Sequence, residues 1–448
     1  MENHTIQSII NNYFFNNELL YNNVIIVKKN HLRLTKGEIK YFRLICHNSK
    51  SLYNRTLFLT RKHYENCGKF LNYLDAYKLI KDEKVYHNLP SCVAQQTMKI
   101  VERDYRSFFG LLKKKQKGNY NREARIPHYK PKDGHFIIIF PIVRTRDKDN
   151  FKLIIPKRLR NKFNFKKITI PIPDYIKGKT LKEVRILPKL NATYFEIEWI
   201  YNQEPEIHEL DKERTVSIDP GVDNFATMLD SKSGRTFILD GKKLKSYNRY
   251  YNKKKAKLQS ILNKQGKKVS KRISRLGLKR RNIFNDALNQ YVNFIIKYCL
   301  KYKVGNIVIG EGYLAQENSK LGKTNNQNFV NIPFGKFSQK LESKCQRYGI
   351  IFMTQEESYT SKCDHLAKES MQHHDKYIGK RIKRGLFKSS KNIIFNADVN
   401  GALGILIKSK HKVDLGQLVN SGCLTQPRRI RLENIRQTSS ERLLEMFE

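Results

Sequence analysis

The sequence predicts a multidomain α+β protein, and three observations lead to this fold class. At 448 residues the chain exceeds what one hydrophobic core ordinarily organises, so two to four structural units are expected. Helical patterns within residues 37–117 give way to short β-rich runs in residues 118–203. Beyond an acidic polar stretch at residues 204–213, strand and helix patterns alternate, which is typical of a mixed sheet covered by helices.

The front of the chain predicts a leader, one strand and two long helices. Residues 1–25 are Asn-rich and are interpreted as a poorly ordered leader. Residues 26–36 have the pattern of a strand, and a helix free of proline follows from Lys36 to about Asn66. A second helix is predicted after Pro90, which suits a first helical position. Its apolar stripe, which indicates core packing, consists of Val101, Tyr105, Phe108 and Leu112.

Four β-rich runs follow, and with the strand at residues 26–36 they predict one β-domain into which the helical segment is inserted. The runs are HFIIIFPIV, FKLIIP, KITIPIP and ATYFEIEWIYN, separated by Pro, Gly and charged turns. A compact barrel or a sandwich fits this pattern equally well. The stretch at residues 204–213 is interpreted as the linker between this half and the next.

The second half predicts strands from RTVSIDP and NFATMLD, then a basic helical region from about Leu244 to Tyr302. A strand (VGNIVIGE), a helix near Phe337 to Tyr348, another strand (IIFMTQEE) and a helix from Ala397 complete the α/β part. Residues 409–448 are interpreted as a C-terminal tail.

Composition indicates a polyanionic partner. Lys and Arg total 87 against 41 Asp and Glu, a formal charge of +46, and so large an excess cannot be paired internally. Nucleic acid is the simplest partner, because each phosphate contact releases condensed counterions. On charge alone, a basic ribosome-associated protein fits as well as an enzyme. Seven cysteines without CxxC spacing and the lack of an apolar run of membrane-spanning length favour a cytoplasmic protein without membrane contact.

Three carboxylates stand at the ends of predicted core elements in this second half. Asp219 ends an apolar strand before Pro220 and Gly221, and Glu311 ends NIVIGE. Asp398 lies just inside a helix whose expected N-cap is Asn396. Taken singly, each fits a solvated strand end or a first-turn acid that complements the helix dipole. Taken together at one sheet edge in a strongly basic chain, they predict a common site for Mg²⁺, with Mn²⁺ able to substitute, and two such ions would suit phosphodiester hydrolysis.

These segments resemble a known family. The ordered trio SIDPGVDNFAT, IVIGEG and NADVNGALGIL is similar to the three-part RuvC nuclease core of TnpB (OrfB) proteins, the accessory proteins of bacterial insertion sequences. Further similar stretches, among them SLYNRTLFLTRKHYE, ARIPHYKPKDGHFIIIFP and SYTSKCDHL, extend the resemblance from about Lys28 to Lys408.

The resemblance implies an RNA-guided DNA endonuclease related to the type V CRISPR effectors, located in the prokaryotic cytoplasm and associated with the nucleoid. It would have a β-barrel wedge domain (26–36 and 118–203), a helical recognition insert (37–117) and a RuvC, RNase H-like nuclease domain (214–358 and 393–408). Asp219, Glu311 and Asp398 would hold Mg²⁺ and carry catalysis. Its partners would be a guide RNA from its own element and double-stranded target DNA next to a short target-adjacent motif, with a monomer favoured.

Several residues are candidates for nucleic-acid contact, each beside a packing or solvated alternative. By resemblance Tyr53, Gln95 and Gln96 fall where the helical part approaches motif DNA. The basic run that includes Lys253, Lys254 and Lys255 is interpreted as an RNA or heteroduplex contact. Arg381 and Arg384 could grip the cleaved strand or form a solvated charged face.

The sequence differs from many relatives in the segment where they bind zinc. Many relatives carry two CxxC pairs before the third acid, whereas residues 359–392 contain only Cys363 beside His365, His373 and His374. Tetrahedral structural zinc needs regularly spaced paired ligands, so none is expected, and a target-loading loop region derived from a degenerate zinc ribbon is predicted instead.

Three other functions stay open. A nuclease-inactive RNA-guided repressor would not need three converging carboxylates. A transposase acting directly on element ends could use the same acids. A guide-independent junction resolvase would not need the long front half.

Overall fold

The computed structural model describes residues 24–118, 120, 122–141, 147, 149–267, 270–311, 332–383, 385–420, 422–437 and 445–447. The chain divides into two compact units, one covering Asn23–Gln203 and the other beginning at Glu204. Nearly all of the predicted leader falls outside the described residues, except that Val24 and Ile25 belong to the first strand. Within the described ranges, no helix combines the length and the apolar character needed to cross a bilayer.

The N-terminal unit contains the predicted helices and strands in the predicted order, together with one strand and three short helices that the sequence analysis missed. Its elements are β1 (Val24–Leu32), α1 (Lys36–Cys67), α2 (Tyr73–Ile80), α3 (Lys84–His87), α4 (Ser91–Gln116), β2 (Ile138–Pro141), β3 (Asn150–Ile154), α5 (Lys157–Phe163), β4 (Lys167–Pro171), β5 (Leu181–Lys189) and β6 (Tyr194–Gln203). The two predicted long helices are therefore confirmed. The missed strand is β5, whose charged and apolar residues alternate imperfectly around Pro188.

Local chemistry sets both ends of α1. Thr35 accepts a hydrogen bond from the backbone N–H of Glu38, and the Glu38 carboxylate accepts from the backbone N–H of Thr35 (2.8 Å), a reciprocal capping box. Gly68 ends the helix in the left-handed region (φ 66°), where a residue without Cβ meets no steric penalty. The sequence predicts the end of this helix to within about one residue.

The strands of this unit form an open sheet and a separate hairpin. The sheet has the order β1-β6-β5-β2, and β3 pairs only with β4. A closed barrel is thus not found among the strands that the structure describes. Strand β1 pairs antiparallel with β6 from Val24 opposite Gln203 to Leu32 opposite Phe195. The helical segment therefore lies, in sequence, between two paired strands, as the sequence predicts.

The C-terminal unit is built on a six-stranded mixed sheet. Its strands are β7 (Asp211–Pro220), β8 (Asn224–Asp230), β9 (Thr236–Asp240), β10 (Val304–Gly310), β11 (Ile351–Gln355) and, near the end of the chain, β15 (Arg428–Ile430). Their spatial order is β11-β10-β7-β8-β9-β15. The β7-β8-β9 meander is antiparallel, whereas β10, β11 and β15 each join the sheet in parallel.

Helices cover both faces of this sheet. They are α6 (Lys242–Lys264), α7 (Lys271–Lys301), α8 (Phe334–Tyr348), α9 (Ala397–Lys408), α10 (Leu415–Asn420) and α11 (Leu432–Gln437). Residues of α7 and α8 form one core with Ile218 and Ile309. On the opposite face the Ser217 hydroxyl donates to the carbonyl of Ala402 in α9 (2.7 Å). Because side chains alternate along a strand, Asp219 faces the same side as Ser217, toward α9.

The structure revises two segments that the sequence had left outside the domain. Strand β7 already begins at Asp211, so the predicted linker at residues 204–213 overlaps the sheet by three residues. The predicted tail at residues 409–448 contributes the sheet's edge strand β15, and Phe447 is buried against Phe237, Phe294 and Tyr298. These short elements lack long periodic patterns, and their burial depends on partners about 150 to 210 residues earlier in the chain.

Candidate active site

Asp219 stands at the end of the central strand, where the structure makes room for its carboxylate. Strand β7 carries it between β8 and β10, with Thr227 opposite on β8. Gly401 of α9 lies directly over it: a Cβ at that position would come within 2.5 Å of Asp219 Oδ2. The glycine therefore lets the helix approach the strand closely enough to enclose the acid.

Asp398 is set by the start of α9. The Asn396 side chain accepts hydrogen bonds from the backbone N–H groups of Asp398 (2.9 Å) and Val399 (3.3 Å), which confirms the predicted N-cap. Most of the rest of the helix is apolar and buried, so packing fixes its axis. The Asp398 side chain keeps 34% exposure, with Asn224 donating to Oδ2 and the Arg381 guanidinium 3.9 Å from Oδ1.

The two aspartates line one open cavity of about 670 Å³. Burial raises the pKa of Asp219 well above its ordinary range, and the negative charges of Glu357 and Asp398 raise it further, while Arg381 opposes them. Crowded carboxylates of this kind favour either a proton or a cation between them. The structure thus brings together two of the three predicted acids.

The third predicted acid, Glu311, stands one position beyond this arrangement. Because Ile218 and Ile309 are register partners, the residue level with Asp219 on β10 is Gly310. Glu311 follows the strand, its backbone N–H donating to the carbonyl of Gln355 (2.9 Å), and it is not among the residues that line the cavity. Its catalytic role stays a prediction.

Glu357 supplies a carboxylate that the sequence reasoning missed. It follows β11 and lines the cavity. Its side chain fills the space over Gly310, where an added Cβ would lie 1.8 Å from Glu357 Oε1. The stretch IIFMTQEE ends in acids just as the Asp219 strand does, so the same rule could have found Glu357. The positions of Glu357 and Glu311 relative to Asp219 depend on the register of the sheet, which one sequence does not reveal.

The cavity carries cations as well as acids. Lys242, Lys245, Arg381 and Arg429 line it, and Lys245 pairs with Asp223 (2.7 Å). A carboxylate cluster in a cavity that cationic side chains also line suits an anionic substrate held next to a divalent ion.

The donor chemistry fits Mg²⁺ better than softer metals, because the crowded groups are all carboxylates. Within the part of the chain that the structure describes, no three His, Cys, Asp or Glu side chains already stand as a ready-made metal cage. A site of this kind would be completed by water and by the substrate's own oxygens, as Mg²⁺ sites commonly are.

The predicted nucleic-acid contacts fall into different environments. Tyr53 is a correction: its ring is fully buried and its hydroxyl donates to Asp104 Oδ2 (2.6 Å), so it packs inside the N-terminal unit. Gln95 and Gln96 are half-buried on α4. Lys253, Lys254 and Lys255 are exposed on α6, while Arg384 lies outside the described residues.

The predicted target-loading region contains a small antiparallel sheet of β12 (Lys380–Lys383), β13 (Leu386–Lys388) and β14 (Ile394–Asn396). Asp364, which precedes this small sheet in the sequence, is a centre of hydrogen bonds. Its buried carboxylate accepts hydrogen bonds from the Ser389 hydroxyl (2.8 Å), the Ser390 N–H (2.7 Å) and the Ala367 N–H (3.2 Å). His365 is buried, and its Nε2–H donates to the Thr360 carbonyl (2.6 Å). Hydrogen bonds of Asp364 and His365 thus stabilise the described part of this region.

Comparison with known proteins agrees with the order of these motifs. Residues 199–315, which include Asp219 and Glu311, match the family model OrfB_IS605, described as "Probable transposase". Residues 334–405, which include Glu357 and Asp398, match the "Cas12f1-like, TNB domain" model.

A curated relative and the protein of a solved complex both match across most of the chain. The relative, from Escherichia coli K12, is named "Putative RNA-guided DNA endonuclease InsQ"; it is 23% identical over 411 residues, covering 86% of this chain and 92% of its own. The protein in a cryo-EM structure of a Cas12f1-sgRNA-target DNA complex superposes with a TM-score of 0.52 at 18% identity, covering 83% of each chain, so the two share a fold. These matches agree with the resemblance to TnpB (OrfB) proteins, relatives of the type V CRISPR effectors, that the motifs around Asp219, Glu311 and Asp398 indicate.

Proposed function

We propose that this protein is an RNA-guided, Mg²⁺-dependent DNA endonuclease associated with a bacterial insertion sequence. The observation that carries the proposal is the cavity that Asp219, Asp398 and Glu357 line together with several cationic side chains. The matches to OrfB_IS605 and to the relative named for RNA-guided cleavage support the same activity.

In this proposal the C-terminal unit is the RNase H-like nuclease. Asp219, Asp398 and a glutamate would hold the metal, which when bound lowers the pKa of the attacking water and stabilises the leaving oxygen. Lys242 and Arg381 would hold the phosphate backbone against the acids, since both line the same cavity. Cleavage would leave 5′-phosphate and 3′-hydroxyl ends.

The N-terminal unit would provide the wedge and recognition functions. Guide pairing would read the target, while protein contacts would read duplex shape and a short adjacent motif. The partners of the protein would be the guide RNA and double-stranded DNA.

The C-terminal unit offers further contacts to phosphate through the exposed lysines at residues 253–255 on α6. The strength of these contacts should fall as the salt concentration rises.

The test begins with RNA that co-purifies with the full-length chain. A discrete RNA that ends in variable sequence is expected, and it defines a matched DNA target. The loaded protein should cut that target with Mg²⁺ but not with EDTA. Asp219→Ala should abolish cleavage and keep the RNA.

Other outcomes would point elsewhere. Cleavage that survives Asp219→Ala would remove the catalytic assignment. Guide-dependent DNA binding by the wild type without any cleavage would indicate a repressor, and strand-transfer products would indicate a transposase.

A further inference from the structure

A chain of hydrogen bonds connects Asp398 to the last strand of the sheet. Asn224 Nδ2 donates to Asp398 Oδ2, and Arg429 donates to Asn224 Oδ1 (2.8 Å). The other arm of the same guanidinium donates to Asp240 Oδ2 (2.8 Å). Arg429 lies on β15, in the segment that the sequence had assigned to a tail.

Each partner in this chain fixes the next. Asp240 is 11% exposed, its backbone carbonyl accepts from the buried Tyr291 hydroxyl (2.6 Å), and its Oδ1 accepts from the Lys242 N–H (2.8 Å), so it is a rigid anchor. Arginine has only donors. Its bond to Asn224 therefore obliges the amide oxygen to face Arg429 and the NH₂ group to face Asp398.

The consequence lies in how Asp398 presents its two oxygens. Oδ2 is occupied by the Asn224 donor, whereas Oδ1 is the oxygen nearer Arg381. If Arg429 were absent, the amide could rotate and turn its own oxygen toward the carboxylate, which would repel it. Partners of this kind commonly contribute 10- to 100-fold to metal affinity or activity.

We infer that Asn224 and Arg429 are positioning residues that orient Asp398 for a divalent cation, with Arg429 supplied by the C-terminal strand β15. This inference rests on the proposed metal-binding role of Asp398. It adds a function for a segment beyond the stretch that resembles the family.

The experiment uses the full-length chain in two assays. The first measures Mn²⁺ binding to the RNA-free protein by electron paramagnetic resonance. The second measures the Mg²⁺ concentration that gives half-maximal cleavage by the RNA-loaded protein. Asn224→Ala should weaken Mn²⁺ binding and raise the Mg²⁺ requirement by about 10-fold.

Arg429→Met should shift the same two quantities in the same direction. The double variant Asn224→Ala/Arg429→Met should change both quantities little more than Asn224→Ala alone, because both substitutions act through one contact. Since Arg429→Met leaves Asp240 with an uncompensated charge, the double variant Asp240→Asn/Arg429→Met provides a form that avoids this penalty. Arg428→Met, which alters the exposed neighbour on β15, is the matched control and should change neither quantity.

Two results would overturn the inference. One is a loss of thermal stability in both variants with unchanged Mn²⁺ binding and Mg²⁺ requirement, which would make the chain of bonds purely structural. The other is a weaker affinity of Arg429→Met for DNA at unchanged Mg²⁺ requirement, which would make Arg429 a phosphate contact. Asp398→Asn separates this question from the proposed function: if that variant still binds Mn²⁺ and cuts, the metal site itself is wrong.

Discussion

Gly310→Ala tests which glutamate completes the site, because it acts on Glu357 without touching a titratable group. An added Cβ would lie 1.8 Å from Glu357 Oε1, and ordinary contacts do not fall below 3.0 Å, so the carboxylate must move by about 1.2 Å. A displacement of about 1 Å at a catalytic centre can lower the rate about 100-fold. The obstructing atoms belong to a flexible side chain, so the fold itself should tolerate the methyl group.

The assay is single-turnover cleavage of the matched DNA by the RNA-loaded protein at saturating Mg²⁺. Gly310→Ala should cut about 100-fold more slowly with its RNA content unchanged. Glu357→Gln should cut at least as slowly, and the double variant should be no worse than Glu357→Gln alone, because both changes remove the same carboxylate from its position. Gly277→Ala, where the nearest atom is 3.7 Å from the added Cβ, is the matched control.

Glu311→Gln provides the opposing test. We expect it to cut at a rate near the wild type, since Glu311 does not line the cavity. Full activity of Gly310→Ala, or loss of activity in Glu311→Gln with Glu357→Gln unaffected, would refute the reasoning from sheet register and support Glu311, the glutamate that the sequence predicts.

Three further predictions concern stability and metal binding. Asp230 is 1% exposed; burial raises its pKa, but hydrogen bonds led by Arg214 outweigh this and hold it below its usual range. Asp230→Asn should therefore lower the free energy of unfolding, measured with urea at pH 7, by about 3–5 kcal/mol. The difference between the variant and the wild type should shrink as the pH falls below about 4, because Asp230 of the wild type is then protonated. An equal difference at pH 7 and below about pH 4 would contradict the ion pair. Asp364→Ala should cost about 3 kcal/mol, whereas Asp364→Asn, which keeps one acceptor oxygen, should cost less in the same assay. Mg²⁺ should raise the Tm of the wild-type chain but not of Asp219→Asn, because binding to the folded state alone is stabilising; an equal rise in both would place the ion elsewhere.

The sequence predicts best those features that depend on local chemistry. Asn396 as an N-cap and the apolar runs of β7 and α9 are local patterns, and they place Asp219 and Asp398 correctly at the ends of their elements. The helix boundaries at Lys36 and Ser91 follow from capping and proline in the same way.

Features that depend on distant partners were not predictable in this way. That Gly310, and not Glu311, is level with Asp219 follows from the pairing of β10 with β7, which one sequence does not reveal. Tyr53 has the sequence context of a family contact, yet Asp104 and Phe136 enclose it. The open sheet of the N-terminal unit likewise depends on pairing between strands well over a hundred residues apart, such as β1 and β6.

The position of β15 at the sheet edge has a consequence for biosynthesis. Its partner β9 ends at Asp240, and Ile430 is translated 190 positions later. At about 5–20 residues per second, the ribosome needs roughly 10–40 s to cover that interval. During this time the nascent chain exposes an unpaired strand edge, a template for association with neighbouring polypeptides. Products of premature termination before Arg428 would keep that edge permanently, so they should aggregate or be degraded rather than accumulate as active fragments.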